Sequence, residues 1–160
     1  MRVGRITISD RASAGIYEDR SGPEIESVLR KFFGDAAEFK AAIVSDDVAL
    51  ITAALKDFAD GLKCDLVVTT GGTGISARDV TPEATRAVID RELPGFGEIM
   101  RVQSFETVKT AILSRALAGT RGQTLIVNLP GKPSAVRECL EIIVPAIREG
   151  VAHLRGEEPH

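Results

Sequence analysis

Between Asp65 and Glu83 the chain runs through a strand with no polar face, a glycine-rich loop and a helix start in immediate succession. Asp65-Leu66-Val67-Val68 is the short apolar run of a strand buried on both faces of a parallel sheet. Thr81-Pro82-Glu83 reads as an N-cap, a proline at the first helical position and an acidic first turn. Gly71, Gly72 and Gly74 lie between them, where missing side chains open the main chain to a ligand. Asp79 stands at the loop tip, where a carboxylate can hold a metal ion or a donor group. A tight strand-to-helix turn accounts for the glycines alone. It does not account for Arg78, Asp79 and the threonines beside them.

The same alternation extends along the chain. Val3 to Ile8 reads as a first strand, followed by the polar loop 9–15. Ser21-Gly22-Pro23-Glu24 opens a helix, with Ser21 or Gly22 as cap, and Gly34 ends it. Ile25, Val28, Leu29 and Phe32 form its apolar stripe. Glu38 to Val44 reads as a second, less regular strand. Asp46 or Asp47 caps a helix carrying Ile51, Ala54, Leu55 and Phe58, and Gly61 closes it. After the strand Leu66–Thr69 and the glycine loop, a helix is expected from Pro82 to about Asp90. Residues 96–104 read as helical, Ala111-Ile112-Leu113 as buried and 118–122 as a turn. Thr124 to Asn128 is a second continuously apolar strand. Val136, Leu140, Ile143, Ile147, Val151 and Leu154 mark one face of a last helix, which Pro145 is expected to kink or split. Gly156–His160 reads as a loose tail.

Strands alternating with helices imply an α/β fold: a mainly parallel central sheet covered by helices on both faces, a three-layer αβα sandwich. At 160 residues, 44% of them hydrophobic, residues 1–160 suit one domain with a substantial core. A net charge of −3 argues against general affinity for nucleic acid. No apolar run approaches the ~20 residues that cross a bilayer. The first residues lead straight into a strand without a signal-peptide apolar region, so a cytoplasmic location is expected. Cys64 and Cys139 lie far apart and outside any ligand motif, which suits free thiols.

Ligands of such folds bind beyond the carboxyl ends of the strands. Loops 9–15, 45–47, 69–81 and 128–134 fall there and hold nearly all the unusual polar and glycine residues. Asp46 and Asp79 stand at two of these exits. With neighbouring strands about 5 Å apart, both carboxylates reach one ligand. Paired carboxylates over a phosphate site suit magnesium, while helix capping and a plain loop turn remain the alternatives. Thr69-Thr70-Gly71-Gly72-Thr73-Gly74 offers hydroxyls and backbone amides for a phosphate. It lacks the lysine of a P-loop, and no dinucleotide fingerprint follows the first strand. Asn128-Leu129-Pro130-Gly131-Lys132 offers a second anion site, where a helix N-terminus and Lys132 add positive charge; a solvated lysine is the alternative.

The loop Thr69–Gly74 continued by Arg78-Asp79-Val80-Thr81-Pro82-Glu83-Ala84 resembles the signature of the molybdopterin adenylyltransferases. These are the MogA/MoaB-like proteins related to the G domain of gephyrin, and the bacterial MogA group is nearest in look. The resemblance also includes Ile8–Gly15, Asp19–Pro23, Pro94–Glu98, Ala111–Arg115 and Asn128–Gly131. It implies transfer of AMP from ATP to the terminal phosphate of molybdopterin, with release of pyrophosphate and assistance from Mg2+. It also implies catalytic, metal-holding roles for Asp46 and Asp79. Ser9, Asp10, Thr70, Gly71, Gly72, Thr73 and Gly74 would then bind the nucleotide phosphates. Ser104, Ser114, Arg115, Asn128, Pro130 and Gly131 would bind molybdopterin. Ile43-Val44-Ser45-Asp46 departs from the family pattern, which more commonly has proline before the aspartate. The resemblance further implies a homotrimer and transient contact with a molybdate-insertion protein. The competing reading is a carrier or scaffold that binds molybdopterin without catalysis.

Overall fold

In the computed structural model, which describes residues 1–157, six strands form one sheet in the order β2-β1-β3-β6-β5-β4. Here β1 is Arg2–Ile8, β2 Glu38–Val44, β3 Leu66–Thr70, β4 Arg91–Glu92, β5 Ala118–Arg121 and β6 Thr124–Leu129. The four strands β2, β1, β3 and β6 are parallel, and β5 and β4 continue the sheet antiparallel. Residues 158–160, part of the expected tail, lie outside the described residues.

Side-chain alternation sorts the core into two layers. Leu66 and Val68 of β3, with Leu125 and Val127 of β6, pack against α2 (Ser21–Phe33), α5 (Pro94–Phe105) and α6 (Pro133–Leu154). Val67 and Ile126 point the other way, onto α3 (Val48–Lys56) and α4 (Thr81–Val88). Both faces of β3 and β6 are therefore buried, which is why these segments carry unbroken apolar runs. The three-layer αβα sandwich expected from the sequence is the observed fold.

Several local expectations are corrected. Residues 118–122 are not simply a turn: Ala118–Arg121 is β5, and only Gly122 has the turn's positive φ of 56°. Pairing with β6, rather than any apolar alternation, makes Ala-Gly-Thr-Arg a strand. The two-residue β4 likewise exists through pairing with β5. Ile112 and Leu113 are 59% and 46% exposed instead of buried. They lie on a 3₁₀ turn, Lys109–Leu113, laid against α5. Pro145 does not split α6, which runs unbroken from Pro133 to Leu154; the proline faces solvent there. The helix containing Leu55 widens at Asp57–Gly61 into a π turn, so that Leu62 N–H reaches Asp57 O at 2.8 Å.

Two caps also differ. The residue before α2 is Arg20, and the carboxylate of Asp19 takes the Gly22 N–H at 2.9 Å. Thr81 lies inside α4 behind Val80, and its hydroxyl donates to Gly71 O at 2.9 Å. That bond ties the helix start to the glycine loop instead of capping the helix.

Candidate functional site

In-register pairing brings the carboxyl ends of four strands level: Ile8 with Val44, Thr7 with Thr70, and Thr70 with Leu129. The chain leaves β1 in one direction for β2 and later places β3 on the other side of β1. The crevice therefore opens above β1, the position at which doubly wound sheets bind ligands.

This order corrects one premise about the carboxylates. The strands before Asp46 and Asp79 are not neighbours, because β1 lies between them. Strand spacing alone would keep their exits about 10 Å apart. Two local structures lead from these exits to the glycine turn. Asp10, carried past the end of β1, meets Asp46: its N–H donates to Asp46 Oδ2 at 2.9 Å, and its Oδ1 accepts from Asp46 N–H at 3.0 Å. From the other side the glycine loop bends back over β1. Gly71 has a φ of 98°, and a Cβ there would run into Ile8 O. Gly72, with a φ of 67°, brings the loop on to Asp46: a Cβ added to it would lie 3.1 Å from Asp46 Oδ1. A Cβ on Gly74 would lie 2.8 Å from Asp79 Oδ2. The two acids thus flank one glycine turn.

Neighbouring aspartates divide the capping and site positions. Asp47 caps α3, its Oδ1 accepting from Leu50 N–H at 3.0 Å. This leaves Asp46 turned toward Asp10 and the loop. Burial pushes the Asp46 carboxyl above its ordinary range, and the charges of Asp10 and Asp79 add to the effect. Asp10 is held well below the usual carboxylate range. The main cause is the Arg78 guanidinium, bound to it in bidentate fashion at 2.8 and 3.0 Å, with the Ser45 hydroxyl assisting. Arg78 therefore spans from the glycine loop to the β1 exit. Ser9 caps the one-turn helix α1 (Asp10–Ser13) by accepting from Ala12 N–H.

The loop's own amides are divided as well. Gly71 N–H is taken by Leu129 O at 3.2 Å. The N–H groups of Gly72, Thr73 and Gly74 donate to nothing among the described residues. Thr70 is buried and its hydroxyl donates to Pro130 O at 2.7 Å, joining the β3 and β6 exits.

On the far side of the loop lies a cavity of about 410 Å3. Thr73, Gly74, Asp79, Ser104, Ser114, Pro130, Gly131 and Lys132 are all in its wall. Asp79 is the one acid shared by the cavity and the glycine turn; Asp10 and Asp46 are not in the wall. Two other residues named from sequence are elsewhere. Asn128 is fully buried: Oδ1 accepts from Leu117 N–H, and Nδ2 donates to the Thr69 and Thr85 hydroxyls. The Arg115 guanidinium turns away from the cavity to Gly74 O, Asp79 O and Glu83. Sequence reading missed Met100, Arg101, Leu113, Glu138 and Cys139 in the wall. The available signal was spacing: Gly97, Met100, Arg101 and Ser104 recur at helical intervals on the cavity side of α5.

Among the described residues, no group of three or more His, Cys, Asp or Glu side chains is placed to hold a metal ion. Asp46 Oδ1 and Asp79 Oδ1 accept no hydrogen bond there. This donor set fits a cation that takes one or two carboxylates and completes its shell with substrate phosphates and water, as magnesium does.

Residues 4–149 match the family model described as a probable molybdopterin binding domain. The chain is 53% identical over 147 residues to the molybdopterin adenylyltransferase of Helicobacter pylori J99, covering 92% of this chain and 84% of that one. It is 46% identical over 153 residues to the enzyme of the same name from Escherichia coli K12, covering 96% and 78%. The solved structure of the molybdopterin biosynthesis enzyme MoaB from Thermus thermophilus superimposes with a TM-score of 0.89 at 42% identity, covering 99% of this chain and 98% of that one. Likeness of this extent in sequence and fold places the chain in the molybdopterin-binding domain family, to which it belongs.

Proposed function

We propose that this protein is a molybdopterin adenylyltransferase of molybdenum cofactor biosynthesis, transferring AMP from ATP to the terminal phosphate of molybdopterin. The observation that carries the reading is the position of Asp79 on the border between a substrate-sized cavity and a glycine turn with three undirected amides. The family name supplies a pterin for the cavity. The amides and Arg78 beyond the turn suit a polyphosphate. Each of two substrates thus has its own side of one loop.

A terminal phosphate oxygen of molybdopterin attacks the α-phosphorus of ATP. The new bond joins the two phosphates, and the bond to the β-phosphate breaks to release pyrophosphate. The attacking oxygen is ionised at neutral pH, so the reaction needs no strong base. The protein's contribution is alignment and placement of charge. Gly72, Thr73 and Gly74 hold the phosphate chain by their amides. The cavity wall, with Ser104, Ser114 and Gly131, positions the pterin. Asp46 and Asp79 are the residues that would hold Mg2+, which when bound neutralises charge on the phosphate oxygens. Asp10 and Ser9 support this arrangement by fixing Asp46 and the β1 exit. Lys132, at the N-terminus of α6, adds positive charge at the cavity rim.

The assembly we propose is a homotrimer, which would cover apolar side chains on α5 and the following turn. Val102 is 65% exposed and Ile112 59%, while Met100 belongs to the core. A cytoplasmic location and a transient encounter with a molybdate-insertion protein follow from the same reading. No helix among the described residues is long and apolar enough to cross a membrane.

The test is pyrophosphate release from ATP and Mg2+, with and without molybdopterin. Release that depends on the pterin supports the enzyme. Stoichiometric pterin binding without release would establish a carrier in its place.

A further inference from the structure

Arg115 lies between Ser114 and Ala116, which both line the cavity, yet its side chain points behind the cavity wall. Its backbone N–H donates to Thr73 O at 2.8 Å. Its guanidinium makes three more bonds: Nε to Gly74 O at 2.8 Å, Nη2 to Asp79 O at 2.8 Å and Nη1 to Glu83 Oε2 at 2.6 Å. Gly74 and Asp79 are the two ends of the exposed excursion 75–78. One planar group therefore fixes the distance between those ends and ties both to the first turn of α4. The loop's own bonds, Ser76 N–H to Asp79 Oδ2 and Asp79 N–H to Ser76 O, both at 2.9 Å, only close the tip. They do not relate Asp79 to the rest of the protein.

We propose that Arg115, oriented by Glu83, is a positioning residue that sets Asp79 against the glycine turn, and that it does not bind molybdopterin. The inference rests on the adenylyltransferase reading. Glu83 is the only one of the three acceptors carried by a side chain, so its charge can be removed without touching the backbone. A lysine in place of Arg115 offers a single point charge and cannot span three acceptors in fixed geometry. Displacement of a reacting group by about 1 Å costs on the order of 100-fold in rate.

The test compares Arg115→Ala, Arg115→Lys and Glu83→Gln with the wild-type protein. Three readouts apply: steady-state pyrophosphate release, molybdopterin binding by titration, and hydrogen exchange at the amides of residues 74–79. The clasp predicts that Arg115→Ala lowers kcat by about 30- to 100-fold while the pterin dissociation constant changes less than about threefold. Exchange at Ser76 and Asp79 should quicken. Arg115→Lys should recover only a minor part of kcat, and millimolar guanidinium should rescue Arg115→Ala but not Asp79→Asn. Glu83→Gln, a milder change that keeps Arg115, should lower kcat in the same sense. Loss of pterin affinity with kcat retained at saturation would overturn the proposal and make Arg115 a ligand. Unchanged kcat and unchanged exchange in both Arg115→Ala and Glu83→Gln would also overturn it. Absence of pterin-dependent release from the wild-type protein would instead remove the enzymatic reading. The exchange measurement still decides the clasp in that case.

Discussion

Asp10 and Asp46 hold each other's backbone: each carboxylate accepts the amide hydrogen of the other residue, at 2.9 and 3.0 Å. The pair locks the β1 and β2 exits together and places two carboxylates side by side in the crevice. Arg78 offsets the charge of Asp10 and leaves Asp46 as the partly buried acid with the raised pKa.

The first prediction concerns pH. In the proposed mechanism Asp46 would hold the cation in its ionised form, so its protonation should set the acid limb of pyrophosphate release. Because burial and the Asp10 and Asp79 charges raise its pKa, that limb should lie above the ordinary carboxylate range. Asp10→Asn removes one repelling charge and should move the limb to lower pH, though not fully, since burial is the larger cause. A limb that stays in place in Asp10→Asn assigns the titration to another group.

The second prediction separates two adjacent aspartates. Asp46→Asn and Asp79→Asn should each lower kcat by orders of magnitude. A folded-state pKa raised above the unfolded value means that ionised Asp46 weakens the fold once pH exceeds that range. Asp46→Asn should therefore melt at or above the wild-type temperature at pH 7. Asp47→Ala should show the reverse pattern: kcat within about twofold, and about 1 kcal/mol of stability lost with the cap of α3. Thermal melts and the release assay on the three variants settle the division.

A third prediction concerns the bend over β1. Gly71→Ala puts a methyl group at a φ of 98° and against Ile8 O, a backbone atom that cannot move aside. The expected cost is at least ~2 kcal/mol, with turnover lost because the loop must rise off the strand. Gly15→Ala is the control: its φ is 74°, but nothing lies within 4 Å of the added carbon. It should cost about 1 kcal/mol and leave turnover near the wild-type level. Chemical denaturation of both variants compares them directly.

The fourth prediction concerns Asn128. Its amide joins Leu117 N–H, Thr69 and Thr85 in a site with no solvent exposure. Asn128→Ala strands those groups and should cost about 2–4 kcal/mol, since each buried polar group left without a partner costs roughly 1–3. A variant of wild-type stability with weakened pterin binding would show that the side chain reaches the ligand.

The elements most legible in the sequence were those whose pattern is local. Leu66–Val68 and Thr124–Asn128 declare buried parallel strands because both faces are apolar. The glycine loop, with its arginine, aspartate and proline, declares a strand-to-helix site. Less legible were features that depend on a distant partner. Ala118–Arg121 becomes a strand through β6, and Thr81 turns its hydroxyl to Gly71 instead of capping α4. Ile112 and Leu113 are as apolar as core residues, but their turn lies outside the core and partly walls a cavity.

By itself the sequence determined the layered α/β class and marked out the loops of the candidate site and the acids within them. Periodicity and turn chemistry are properties of neighbouring residues. Strand order could not be read in the same way, because it depends on contacts between segments far apart in the chain. Folding placed β1 between the two acidic exits and brought Asp10 in as their link. It also enclosed Asn128 and turned Arg115 away from the cavity, since hydrogen-bond partners are assigned only once every layer is packed.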